Sequence, residues 1–166
     1  VSCKSCGFKF TNPRPDNSVL GNYYKAESYV SHTNSKKGIV NKLYHAVRNY
    51  TLKSKIKLVS SYVSRGTILD YGCGTGMFLG TIKKVCWETY GMEPDDDART
   101  IAKENADNVF SDKDRIQTYI TDKKFNAITL WHVLEHVTDM PETLSFFKNR
   151  LNKDGVLIIA VPNHVS

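Results

Sequence analysis

The segment Ile68-Leu69-Asp70-Tyr71-Gly72-Cys73-Gly74-Thr75-Gly76-Met77 constrains the fold of this chain more than any other. An apolar run enters a turn with glycine at alternate positions, and helix-forming sequence follows. In a doubly wound parallel sheet such a turn lies at the carboxyl edge, where ligands bind. Glycine suits the place because the backbone must bend sharply and approach a ligand with no Cβ between them. A glycine-rich turn alone serves many cofactors, so its spacing and the charges near it must decide among them.

The spacing departs from the dinucleotide fingerprint. G-x-G-x-x-G counted from Gly72 requires glycine at position 77, where the chain has Met77; the third glycine comes one residue early, at Gly76. Asp70 is a second departure, because a carboxylate at the strand's end repels a pyrophosphate yet accepts hydrogen bonds from an ammonium group. Glu93 follows 23 residues after Asp70, in Tyr90-Gly91-Met92-Glu93-Pro94-Asp95. Taken alone it reads as a surface carboxylate; downstream of this turn, an acid ending the second strand can accept both hydroxyls of a ribose. A ligand with a ribose and an amino acid but no phosphate is S-adenosylmethionine.

From Thr67 onward short apolar runs alternate with helical segments, the pattern of a mostly parallel sheet with helices on both faces. The expected strands are Thr67–Tyr71, Thr89–Glu93, a weak Asn108–Phe110, Ala127–Trp131 and Val156–Val161. Helices are expected near Met77–Lys84, Asp96–Asn105 and Glu142–Leu151, with one short helix open within residues 111–124. Asp139 is placed to cap the last of them ahead of Pro141, and Asn152-Lys153-Asp154-Gly155 to close it. Upstream, Ile39, Val40, Leu43, Tyr44, Val47, Leu52, Ile56, Leu58 and Val59 recur at a mostly three-to-four spacing. That spacing predicts one or two amphipathic helices packed on the domain that follows.

Leu130-Trp131-His132-Val133-Leu134-Glu135-His136 leaves the fourth strand at the same carboxyl edge. Histidine titrates near neutral pH, so His132 and His136 are candidate general bases for an acceptor that must lose a proton. The plainer reading is a histidine that bonds a backbone carbonyl or lines the cofactor. Trp131 reads equally as a pocket wall or a core residue, and Glu135 as a loop anchor. Tyr23, Tyr24, Tyr29 and His32 form a polar-aromatic stretch that either folds over the cofactor as a lid or packs on the sheet edge.

Four segments in order, ILDYGCGTG, GMEPD, FNAITLWHVLEHV and LSFFKNRLNKDGVLIIAVPN, resemble those of the class I S-adenosylmethionine-dependent methyltransferases across residues 67–163. The resemblance implies a Rossmann-like α/β fold and methyl transfer. It places Asp70, Gly72, Gly74 and Gly76 around the methionine moiety, Glu93 on the ribose, and Asp112, with Asp114 competing, on the adenine; Trp131 and His132 would line the pocket. The family sheet continues with a final antiparallel strand pair. This sequence begins at Val1 and stops soon after its fifth expected strand, so a chain cut at both ends is expected. Cys3-Lys4-Ser5-Cys6-Gly7 and the prolines after it resemble the second half of a zinc ribbon. Structural zinc needs four ligands, so Cys3 and Cys6 are possible zinc ligands of an intact protein, with a redox pair as the alternative. The expected organisation is residues 1–20 as a partial ribbon or loop, 21–66 as a helical or lid segment, and 67–166 as the cofactor domain.

Charge divides the same way. The formal net charge is +6, but residues 1–66 hold 12 Lys/Arg against 2 Asp/Glu, and residues 67–166 hold 11 against 15. A basic segment beside an acidic domain attracts nucleic acid, a phosphorylated substrate or an anionic membrane surface, or is only a solvated lysine-rich face. The most apolar run, Val156–Val161, is far shorter than the roughly 20 residues that span a bilayer. With no signal-peptide pattern at its start, a cytoplasmic address is expected. Four scattered cysteines do not make a disulfide scaffold, and reduced thiols are expected. The function expected is methyl transfer to a small-molecule acceptor, a sugar or a lipid-linked metabolite. The rivals are a nucleic-acid-modifying methyltransferase, which usually carries an Asp/Asn-Pro-Pro-aromatic tetrad after the fourth strand, a nicotinamide oxidoreductase, and a non-catalytic cofactor-binding module.

Overall fold

A computed structural model describes residues 1–7, 9, 13 and 39–163. The expectations for Pro15 and the Tyr23-to-His32 stretch lie outside the described residues. Helix α1 (Ile39–Tyr62) leads into β1 (Gly66–Tyr71), α2 (Met77–Ile82), a 3-10 turn (Lys83–Val85), β2 (Trp87–Met92), α3 (Asp96–Asn105) and β3 (Asn108–Phe110). Then come α4 (Lys113–Tyr119), β4 (Phe125–Trp131), a second 3-10 turn (Leu134–His136), α5 (Met140–Arg150) and β5 (Leu151–Ala160). Every strand pair is parallel, in the order β3-β2-β1-β4-β5. The chain thus has the expected Rossmann-like α/β fold. The strand order reverses between β1 and β4, which puts the crevice for a ligand at their carboxyl ends.

Side chains alternate across a strand, and the two faces of the sheet are buried by different helices. Ile68 and Ala127 face Leu52 and Val59 of α1, Phe78, Leu79 and Ile82 of α2, and Ala106 at the end of α3. Leu69, Tyr71, Tyr90, Ile128 and Leu130 face Ile116 of α4 and Phe146 and Phe147 of α5. Asp70, Thr129 and Trp131 alternate onto the first face, the one that α1 covers. No helix among the described residues is long and apolar enough to cross a membrane.

Aspartates start three of the helices. Asp95 Oδ1 accepts from Ala98 N at 2.8 Å, Asp112 Oδ1 from Arg115 N at 2.8 Å, and Asp139 Oδ1 from Glu142 N at 3.2 Å, with Pro141 in the first turn of α5. Replacing Asp95 by alanine should lower stability by about 1 kcal/mol in urea unfolding, the usual worth of an N-cap.

The end of α5 differs from the expectation. Arg150 donates to the carbonyls of Ile120, Thr121 and Lys123, and the chain passes directly into strand at Leu151, which is extended at φ −78°, ψ 142°. Asn152-Lys153-Asp154-Gly155 does not close the helix: it is carried as an irregularity within β5, where the register moves from Phe125↔Leu151 to Ala127↔Val156. The same irregularity turns Phe125 toward the α4/α5 face although it shares parity with Ala127. Gly155 permits it, since a Cβ there would lie 2.8 Å from the Phe125 carbonyl oxygen.

Candidate functional site

The glycine turn after β1 is held from the second strand. Gly72 N and Cys73 N both donate to the Met92 carbonyl, at 2.8 and 2.9 Å. All three glycines have left-handed φ, 75° at Gly72, 54° at Gly74 and 72° at Gly76. A Cβ on Gly72 would lie 2.5 Å from Val133 Cγ2, so the turn is pressed against the loop that leaves β4. Gly76 precedes α2, and a Cβ on it would lie 3.0 Å from the Ala102 Cα of α3. The early third glycine is therefore where α2 and α3 approach. Cys73 packs its sulfur toward Gly91, and burial raises its thiol above the ordinary value, the setting of an inert thiol.

Two acids flank this turn. Asp70, 2% exposed, receives the Thr129 hydroxyl on Oδ1 at 2.6 Å. Burial pushes its pKa up to about 7; the Thr129 bond and the Lys55 charge pull it down, and Glu93 adds to the rise. Glu93 reaches back over the turn: Oε2 accepts from Gly74 N at 2.8 Å and Oε1 from Asp95 N at 3.0 Å. Burial raises its pKa as well, against the donors Asp95 and Gly74.

This arrangement suits a cation more than a phosphate. A phosphate at a glycine turn relies on open backbone N–H groups, but here Gly72, Cys73, Gly74 and Gly76 already donate to protein acceptors, one of them the Glu93 carboxylate. An ammonium group finds a buried carboxylate at Asp70, and a ribose can exchange its hydroxyls for the N–H donors on Glu93. The residues present fit S-adenosylmethionine.

Trp131 ends β4. Its ring packs edge-on to Phe78 at 5.5 Å, and its Nε1 is buried with no hydrogen-bond partner among the described residues, while the Lys55 ammonium lies over the ring at 4.5 Å. His132 takes a left-handed φ of 60° and donates its N–H to Ala160 O at 2.9 Å. Its side chain is 62% exposed, with Nδ1 3.9 Å from Glu135 Oε1. His136 lies in the 3-10 turn, its N–H on Val133 O. Asp112 stands at the carboxyl end of β3 but caps α4, and Ser111 Oγ donates to its second oxygen at 2.6 Å; Asp114 lies within that helix. Cys3 and Cys6 share one turn, closed by Gly7 N on Cys3 O at 2.9 Å. The N–H groups of Cys6 and Ser5 hold the Cys3 thiol below its ordinary pKa. Among the described residues no group of three or more His, Cys, Asp or Glu side chains gathers as a metal site.

Three neighbours of the site escaped the sequence reading. Thr129 is hidden in an apolar strand, Val133 in a loop, and Lys55 in α1. A signal existed for Lys55: it falls three residues after Leu52 and four before Val59, on the buried stripe of the helix.

The family model described as "Methyltransferase domain" matches residues 44–166. A curated relative, the ubiquinone biosynthesis O-methyltransferase of Glaesserella parasuis serovar 5, is 29% identical over 109 residues, covering 60% of this chain and 46% of its own. The chain spans about half the length of the curated relatives it matches. Among solved structures it is similar to a SAM-dependent methyltransferase from Archaeoglobus fulgidus, with TM-score 0.62, 23% identity, and 72% of this chain and 55% of that one covered. It is also similar to the SAM-bound amino pentose methyltransferase from Micromonospora echinaspora, with TM-score 0.60, 17% identity, and 78% and 59% covered. With a family model covering most of its length, and with the fold and the glycine turn in agreement, the chain belongs to the methyltransferase-domain family.

Proposed function

We propose that the protein binds S-adenosylmethionine at the carboxyl edge of β1 and β2 and transfers its methyl group to a small-molecule acceptor. The observation that carries this reading is the pair of carboxylates, Asp70 and Glu93, on either side of a glycine turn in which the N–H groups of Gly72, Cys73, Gly74 and Gly76 donate to protein acceptors. Asp70 accepts from the ammonium of the methionine end. Glu93 exchanges its present donors, Gly74 N and Asp95 N, for the ribose hydroxyls. Asp112, at the end of the next strand out, retains lone pairs beyond its protein donors and so can take the adenine amine. Gly72, Gly74 and Gly76 keep side chains out of the space between.

When bound, the cofactor supplies an electrophilic methyl on a sulfonium. The chain's own task is then alignment and, for an acceptor that must lose a proton, a base. His132, exposed at the same sheet edge, is proposed for that role, with His136 second. Trp131 forms the wall beside it. A sugar or a lipid-linked metabolite is the proposed acceptor class; one relative named for ubiquinone biosynthesis and one neighbour that methylates an amino pentose support a small molecule.

Calorimetry with S-adenosylmethionine, S-adenosylhomocysteine and NAD tests the proposal. The first two should bind and NAD should give no heat. Glu93→Ala should weaken the binding by about 1.5–3 kcal/mol, the worth of hydrogen bonds to a charged group. Binding of NAD, or unaltered affinity in the variant, would overturn the reading.

A further inference from the structure

We propose that the outer face of α1 docks this protein on a bilayer of anionic lipids, with the mouth of the site brought to the bilayer surface. The inference goes beyond the cofactor reading, and cofactor binding does not depend on it.

An α-helix turns once in 3.6 residues, so α1 can present apolar side chains on two opposite sides. Leu52 and Val59 are buried against the sheet. Leu43, Val47, Tyr50 and Leu58 recur at helical spacing on the far side, with exposures from 42% at Leu58 to 75% at Tyr50. A lysine-rich face that only meets water has no use for such a line of large apolar side chains. Lys42, Lys53 and Lys57, all exposed, follow one border of this stripe, and Tyr44 and Tyr62, also exposed, follow the other. No acidic residue lies between Glu27 and Asp70.

Charge selects the occupant. Two copies paired through this face would set lysine against lysine, which disfavours a dimer here. The phosphates of a nucleic acid would satisfy the lysines but leave the apolar stripe in water. An anionic bilayer takes both: the apolar side chains enter the boundary of headgroups and acyl chains, while the lysine stems and tyrosine rings keep their polar ends among the headgroups. Residues 67–166 hold 11 Lys/Arg against 15 Asp/Glu, so the same surface repels the rest of the domain and α1 turns toward it.

The direction of α1 ties this face to the site. The helix ends near the amino edge of the sheet, where β1 begins, and Lys55 reaches Trp131 at the carboxyl end of β4. Leu43, Val47 and Tyr50 precede Lys55 and so lie further out on the carboxyl side, Leu43 about 18 Å along the helix from Lys55.

The test is sedimentation of the full chain with vesicles of phosphatidylcholine, alone or with about one quarter phosphatidylglycerol. The wild type should prefer the anionic vesicles by on the order of 100-fold, and the preference should shrink as salt is added. Changing Lys42, Lys53 and Lys57 together to Gln should remove most of it, at roughly fivefold per lysine. Changing Leu43, Val47 and Tyr50 together to Gln should weaken binding to the same vesicles by about tenfold or more. Changing Lys103, Lys148 and Lys153 to Gln removes equal charge from α3, α5 and β5 and should alter the affinity by less than about threefold. Urea unfolding confirms that the variants remain folded; should the apolar variant unfold, the lysine variant decides. No preference in the wild type would assign the stripe to another part of the protein and overturn the inference. It also fails if the α1 and control lysine variants lose binding equally, or if duplex RNA binds α1 more tightly than the vesicles do. A wild-type dimer that the apolar variant turns into a monomer would give the face to a second copy and overturn it as well.

Discussion

Asp70→Asn should flatten the pH dependence of stability between about pH 4 and 7 and remove most of the affinity for the cofactor. The Asp70 carboxyl is raised from its ordinary 3.8 to about 7, chiefly by burial. A raised pKa means that the folded chain holds this proton more tightly than the unfolded one. The associated stability is fully present below the unfolded value, declines as pH rises between the two values, and is gone above the folded one. The ligand-free wild type should thus lose on the order of 2–4 kcal/mol from this group across that interval. Asparagine still accepts the Thr129 hydroxyl and has nothing to ionise, so its profile should lack this slope. Binding runs the other way. The ionised Asp70 is the form that receives an ammonium, so wild-type affinity for S-adenosylhomocysteine should rise with pH and level off near 7. In the variant the affinity should fall by about 100-fold or more, the cost of removing one partner of a buried charged pair, and the rise should vanish. Urea unfolding and calorimetry at several pH values read both effects. Parallel stability profiles in the two proteins would show that Asp70 is not held protonated in the empty site.

The β1 strand and its turn were legible because a strand-sized apolar run and three glycines can be placed in few ways. The two acids were legible because carboxylates at strand ends are chemically conspicuous. Lys55 was not, since an amphipathic pattern is read from its apolar positions, and a lysine among them looks like an interruption. Thr129 looked like an ordinary β-branched strand residue; only the register that sets it opposite Asp70 reveals its use. Asn152-Lys153-Asp154-Gly155 carried a sound turn signal, but pairing of Leu151 with Phe125 and the hold of Arg150 on three carbonyls outweighed it. Asp112 shows a different ambiguity. The same residue reads as a ligand acid after β3 and as the cap of α4, and the fold uses it as the cap while leaving it at the sheet's ligand edge.

Phe147→Ala should be the most destabilising single change in the α5 face of the core, by about 3–5 kcal/mol. Phe147 is fully buried, and its ring meets Tyr71 edge-on at 5.0 Å and Phe146 at 5.7 Å. Tyr71 is the last residue of β1, adjacent to Gly72, and the Thr143 side chain of α5 draws its hydroxyl pKa down against the rise from burial. Alanine would leave a cavity directly beneath the strand end that enters the glycine turn. For a chain of this size each kcal/mol lowers Tm by roughly 2–4 °C, so the midpoint should drop by roughly 6–20 °C. Phe147→Leu, which keeps most of the volume, should cost less than about 2 kcal/mol. Below the new midpoint the alanine variant should bind S-adenosylhomocysteine more weakly than the leucine variant, because Tyr71 loses its ring contact and the turn loses part of its support. A loss under 1 kcal/mol would mean that the α5 side of the sheet is not packed as described. A large loss with unchanged affinity would instead separate the support of the core from the geometry of the turn.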